Sequence, residues 1–208
     1  MTARGLRPQA IVTALLPAVV QADIAVEISP VWLLRPGRAE AVRWWPLLCQ
    51  VYGELTGLEL LDVAPPRERR RVDVVLRYPD GAQQVLEVDE SQHFTGPRAV
   101  TLTAYPDQVA LGFPHDLWLT RARERTGGEP GGGFGRACPP LFPEPGGRHS
   151  QRAFRDMLAD LLPLEHGWLP TIRISDTEPA GWTVPGSEGP LAQLLAGRGI
   201  SAEHLRLT

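Results

Sequence analysis

Three carboxylates and a histidine lie close together in this chain: Asp73, then Glu87-Val88-Asp89, then Gln92-His93. What they can do depends on side-chain parity. Val72 to Tyr78 and Gln84 to Asp89 are rich in β-branched and apolar residues and flank Pro79-Asp80-Gly81, a pattern that reads as a β-hairpin. A three-residue hairpin loop puts its first two residues in a type I turn and its third in the left-handed region, which suits Pro, Asp and Gly in that order. Tyr78 then opposes Ala82, and counting back sets Asp73 against Glu87. Alternate side chains share a face, so Asp73, Glu87 and Asp89 are expected to converge. Directly opposed Cβ atoms lie about 4.5–5.5 Å apart, where like charges destabilise a sheet unless a cation intervenes. Carboxylate oxygens suit Mg²⁺, which typically takes one or two of them and keeps several waters. The alternative is a solvated acidic strand face in which a one-residue slip moves Asp73 to the other side.

This run of Asp73, Glu87-Val88-Asp89 and Gln92-His93 resembles the core of the PD-(D/E)xK nuclease superfamily, in particular the branch similar to very short patch repair endonucleases, where an E-x-D-x-x-Q-H run is common. The likeness covers roughly Arg38 to Trp118. It implies a restriction-endonuclease-like fold and cleavage of phosphodiester bonds with Mg²⁺ or Mn²⁺. Asp73 and Glu87 would hold the metal, and Asp89 would bind metal or water. The implied substrate is nucleic acid, DNA ahead of RNA, in repair, restriction or phage defence. One position departs from the pattern. The superfamily usually carries a lysine two residues after the glutamate, whereas Asp89 stands there in a chain without any lysine. Activation of water then falls to Asp89, to His93 or to the cation alone. His93 is the expected general base or water-orienting group, with Gln92 positioning phosphate or water. A histidine simply packed against Phe94 is the other reading. The missing lysine and the acidic net charge favour the competing reading, a catalytically inactive nuclease-like module that binds nucleic acid or a protein partner, and the presence of Asp73, Glu87, Asp89 and His93 together opposes it.

The net charge is −3, so attraction to nucleic acid has to be local. Arg67-Glu68-Arg69-Arg70-Arg71 offers a local patch just before the strand of Asp73, with Arg70 and Arg71 as phosphate contacts. Guanidinium forks pair bidentately with phosphate oxygens; a solvated loop partly neutralised by Glu68 is the alternative. Arg98, a short turn after His93, is expected to swing back to the site, and Arg152, on a later helix, to meet a backbone phosphate. Arginine-only usage with abundant Ala, Gly and Pro also fits a GC-rich genome and by itself carries no functional weight. The Gly/Pro-rich stretch 126–147 is no phosphate cradle, because a P-loop needs a lysine; Phe134 within it is a candidate to stack on a base. Cys49 and Cys138 form neither a CxxC pair nor a disulfide framework, which is consistent with a reducing cytoplasm. His149, His166 and His204 show no zinc spacing.

The elements that must position these groups suggest an α/β fold: a mixed central sheet flanked by helices, with a Gly/Pro-rich insertion. At 208 residues the chain suffices for one nuclease-like domain, with a catalytic core at about 38–120 and a helix-strand extension over 150–208. The apolar run 10–20 after Arg4 and Arg7 could pass as a weak signal sequence. Pro17 and the alternation of Ile24, Val26 and Ile28 favour a helix followed by a strand. No run reaches the roughly 18 apolar residues of a membrane span. From Gly37 to Leu55, Val42, Trp45, Leu48, Val51, Tyr52 and Leu55 recur at helical spacing, and Pro46 kinks or restarts that helix. Glu54 near its end is a weak fourth acid. Leu111 to Thr120 is expected to add a strand, and Ser150 to cap a helix reaching about Leu162. Thr171 to Ile174 reads as a late strand, and Leu191 to Leu195 as a final short helix. The expected setting is cytoplasmic, with nucleic acid as partner, no membrane, and homodimerisation left open.

Overall fold

The alternating strands and striped helices read above assemble around a mixed four-stranded sheet in a computed structural model that describes residues 6–65 and 71–206. Helix α1 (Pro8–Val19) leads into strand β1 (Asp23–Ile28), followed by α2 (Arg38–Ala41) and α3 (Trp45–Thr56). Strands β2 (Val72–Arg77) and β3 (Gln83–Asp89) form the hairpin. Helices α4 (Gly96–Thr103), α5 (His115–Glu124) and α6 (Gly147–Leu161) precede β4 (Leu169–Ser175), and α7 (Glu188–Gly197) closes the order. The strands lie in the order β1-β2-β3-β4, the first three antiparallel and β4 parallel to β3.

The hairpin has the expected register, with Val74 opposite Leu86 and Arg77 opposite Gln83. The Tyr78 N–H donates to the Ala82 carbonyl at 2.9 Å, and Gly81 takes φ +89°, which a glycine adopts without strain. Parity then sorts the sheet into two faces. Val74, Leu76, Leu86, Val88, Ile172 and Ile174 pack with α1 and α7, while Val75 and Val85 pack with α3 to α6. Fully burying one such side chain is worth about 1.5–3 kcal/mol, so a one-residue slip, which would turn both apolar sets over, is strongly disfavoured.

Helix α1 and strand β1 form as expected, and Pro17 sits on the exposed side of α1. Three expectations need correction. Leu111 to Thr120 does not add a strand: Pro114 caps α5, which buries Trp118 and Ala122 one turn apart. Asp116 in its first turn and Arg121 and Arg123 in its last complement the helix dipole. Gly112 pairs with the sheet through an isolated parallel bridge to Ile172, and a Cβ there would lie 2.6 Å from the Thr171 carbonyl oxygen. The helical run from Gly37 to Leu55 is interrupted by a 3₁₀ turn at Val42–Trp44 and restarts with Pro46 in the first turn of α3, one of the two outcomes expected of that proline, but Val42 does not take the buried position its spacing suggests. It is exposed, with φ +44°. Helix α6 begins at Gly147, capped by Gly146 at φ +84°, so Ser150 lies inside the helix. Among the described residues, no helix is long and apolar enough to cross a membrane.

Candidate active site

Period-two geometry carries Glu87 and Asp89 to the face of β3 that α4, α5 and α6 cover, where they are 2% and 0% exposed. On the neighbouring strand the same rule puts Thr171, Arg173 and Ser175 opposite in parity to Ile172 and Ile174, and the parallel register sets Arg173 beside Glu87. Arg173 is fully buried among carboxylates. Its Nη1 donates to Asp89 Oδ1 at 2.7 Å, its Nε to Asp160 Oδ1 at 2.7 Å, and its Nη2 to the Asp156 carbonyl at 3.2 Å. Trp118 Nε1 donates to the other Asp89 oxygen at 2.6 Å. Both Asp89 oxygens are thus held by the protein itself.

Helix α6 supplies the opposing wall. Asp156 and Asp160, one turn apart, project from the same side of the helix and are buried. Asp160 Oδ2 accepts from Arg98 Nη2 and from the Tyr105 hydroxyl, each at 2.7 Å. Arg98 Nη1 also donates to the Tyr105 oxygen at 3.0 Å and to Thr101 Oγ1 at 3.2 Å. Burial alone would lower the Arg173 pKa, but Asp160, Asp89, Asp156 and Glu87 outweigh it and hold the guanidinium well above its usual range. Burial pushes the Tyr105 phenol well above its ordinary value, so it remains a neutral donor to Asp160.

His93 ends the 3₁₀ turn Ser91–His93 that follows β3. Its Nδ1 lies 2.8 Å from Asp156 Oδ2 and 3.5 Å from Asp89 Oδ1. Its Nε2 has no hydrogen-bond partner among the described residues, and the side chain is 13% exposed. Beside it, Gln92 donates to Glu90 at 3.0 Å, and its carbonyl accepts from Arg152 Nη1 at 3.2 Å.

Asp73 lies one step past the last paired position of the hairpin, on the register that sets it against Glu87. Rather than continuing the ladder, its carboxylate accepts the Val88 N–H at 2.8 Å and the Gln9 side-chain amide of α1 at 3.0 Å. The helix residue that reaches this acid is therefore Gln9, while Glu54 is exposed and accepts from Gln50 on its own helix.

The structure thus brings Asp89, His93, Gln92 and Arg152 together, with Glu87 alongside Arg173. It removes Arg98 from the expected phosphate contacts, because that side chain is 1% exposed and committed to Asp160, Tyr105 and Thr101. Arg71 is exposed and lies 3.8 Å from Glu27, and Arg70 falls outside the described residues. Asp156, Asp160, Arg173, Trp118 and Tyr105 were not anticipated. Two aspartates four apart within the apolar stripe of α6, and one arginine between two isoleucines, were the signals available.

Whether this donor set fits a divalent ion can be tested residue by residue. Among the described residues, no group of three or more His, Cys, Asp or Glu side chains is arranged to hold a metal. Asp89 does not fit, since an incoming ion would have to displace Arg173 and Trp118. Asp73 and Glu87 are the two remaining acids of the expected set, a number that a hydrated hard cation can use; Asp73 already accepts the Val88 N–H at one oxygen and the Gln9 amide at the other. No family model, curated protein or solved structure matches this chain.

Proposed function

We propose that the protein hydrolyses phosphodiester bonds of nucleic acid, DNA ahead of RNA, with the aid of Mg²⁺ or Mn²⁺, on a restriction-endonuclease-like scaffold. The observation that carries this reading is His93. It follows the Glu87-Val88-Asp89 strand, its Nδ1 is occupied by carboxylate, and its Nε2 is unpartnered among the described residues. That is the geometry of a general base oriented through its second nitrogen. The antiparallel β1-β2-β3 sheet, with β4 returning parallel to β3, supports the finer fold assignment. Asp73 and Glu87 would hold the cation, whose chemistry when bound is to polarise phosphate and acidify water. His93 takes a proton from the attacking water at Nε2. Gln92, fixed at its carbonyl by Arg152, orients water or phosphate, and Arg152 meets the phosphate backbone. Asp89 serves as the counter-ion of Arg173.

One observation favours a second reading. Because Arg173 and Trp118 already satisfy Asp89, the carboxylate face has internal compensation, as a catalytically silent nuclease-like binding module would. Labelled single- and double-stranded DNA and RNA, incubated with Mg²⁺, Mn²⁺ or EDTA, separate the two. Metal-dependent cleavage that disappears in Asp73→Ala and Glu87→Ala supports hydrolysis. Binding without cleavage, together with no Mn²⁺ uptake by calorimetry, supports the silent module.

A further inference from the structure

Building on the nuclease reading, we propose that Asp156 is the positioning residue of this site, holding His93 in the tautomer protonated at Nδ1 so that the lone pair lies on Nε2. Asp156 Oδ2 is 2.8 Å from Nδ1, and Asp89 Oδ1 approaches the same nitrogen at 3.5 Å. An ionised carboxylate only accepts hydrogen bonds, so a bare Nδ1 lone pair would face two acceptors, whereas a proton there is shared favourably. The opposite nitrogen is the one without a partner among the described residues. Asp156 is itself fixed: it lies inside α6 with no exposed surface, its carbonyl accepts from Arg173 Nη2 at 3.2 Å, and its Oδ1 lies 3.6 Å from the same guanidinium. The imidazole is thereby oriented from the protein interior.

In hydrolysis the water oxygen bonds to phosphorus as its O–H bond breaks and the proton passes to Nε2. The ester P–O bond breaks with its electron pair leaving on the ester oxygen, which takes a proton from solvent. Asp156 touches none of these atoms. It acts through the ring, as the buried carboxylate of a hydrolase triad does.

The test is the imidazole ¹⁵N spectrum of the full, metal-free chain, with His93→Gln used for assignment. We expect a protonated, pyrrole-type Nδ1 and a pyridine-type Nε2 in the wild type, and loss of that preference in Asp156→Asn. With metal and nucleic acid, Asp156→Asn should lower kcat about 10²- to 10⁴-fold, the range of general acid–base assistance, with KM unchanged. A wild-type His93 protonated at Nε2, or a tautomer unaltered by Asp156→Asn, overturns the assignment. If the variant does not fold, the wild-type spectrum alone decides. The spectrum is independent of cleavage, so a wild type that cleaves nothing defeats the nuclease reading separately.

Discussion

Arg173 answers an electrostatic question that the acidic strand raises. Glu87 and Asp89 on one buried face require a positive charge nearby, and the neighbouring strand supplies one that binds Asp89 and Asp160 at once. Taking charges out of water costs several kcal/mol per ion, and removing one partner of a buried pair typically costs about 3–5 kcal/mol because the other stays uncompensated. Arg173→Ala is accordingly expected to destabilise the fold by about that much, read from the urea midpoint at unchanged m-value. Arg173→Lys should recover only part of the loss, since a single ammonium lacks the fork that spans both carboxylates. If Arg173→Ala unfolds at the wild-type midpoint, these ion pairs do not bear on stability. Trp118→Phe isolates the other Asp89 oxygen: it keeps an aromatic ring and deletes one donor, for an expected cost of about 1–3 kcal/mol.

The hairpin was legible in the sequence because turn chemistry and parity agree: Pro79-Asp80-Gly81 fixes the register, and the register fixes which side chains share a face. Helix α5 was not, because an apolar triplet such as Leu117-Trp118-Leu119 fits a strand or a helix equally well, and Trp118 packs against Asp89 and Phe94, which lie well before it in the chain, as well as against nearby Phe113. The ion cluster was hidden for a related reason. A pattern of apolar and polar residues assigns Asp156, Asp160 and Arg173 to solvent, and only their mutual pairing makes burial tolerable. The Gly/Pro-rich stretch read as a loop is tied down by similar distant contacts, including Glu129 Oε1, which accepts the Gly96 N–H at the start of α4 at 2.9 Å. Burial pushes the Glu129 carboxyl up, but backbone N–H donors from Gly96, Glu129 and Gly127 more than offset it, and His149 adds to them, leaving its pKa below the usual value. A depressed acid pKa adds stability that is present above the unfolded value of about 4.3 and is lost as pH falls through the lower folded value. Glu129→Gln should therefore cost under about 1 kcal/mol near pH 7, a figure reduced for solvent screening, and the gap between variant and wild type should close in acid. Thermal melts across pH 3–7 check it; a gap that widens on acidification has the wrong sign.

Charge is distributed unevenly between the interior of the molecule and its surface. The sequence carries 21 basic residues, all arginine, against 24 acidic ones, and two of those arginines, Arg98 and Arg173, are spent inside the ion cluster. The same cluster buries Glu87, Asp89, Asp156 and Asp160, and with a net charge of −3 the chain as a whole does not attract a polyanion, so any grip on nucleic acid must come from a few local contacts. Counterion release makes this measurable, because log K falls with log salt at a slope of about −0.9 per phosphate neutralised on duplex DNA. With Arg70, Arg71 and Arg152 as the contacts, the expected slope is about −2 to −3 between roughly 50 and 200 mM salt, shallow for a DNA-binding protein. Arg152→Ala should bring the slope about one closer to zero and weaken binding by a similar factor on every sequence, as loss of a backbone contact does. Arg98→Ala should leave the slope untouched while lowering thermal stability, because its charge is committed to Asp160 and never meets solvent. Fluorescence anisotropy with a short duplex, titrated at several salt concentrations, gives all three slopes. A wild-type slope near zero would remove nucleic acid as the ligand, whereas a slope several times steeper would require more phosphate contacts than Arg70, Arg71 and Arg152 can make.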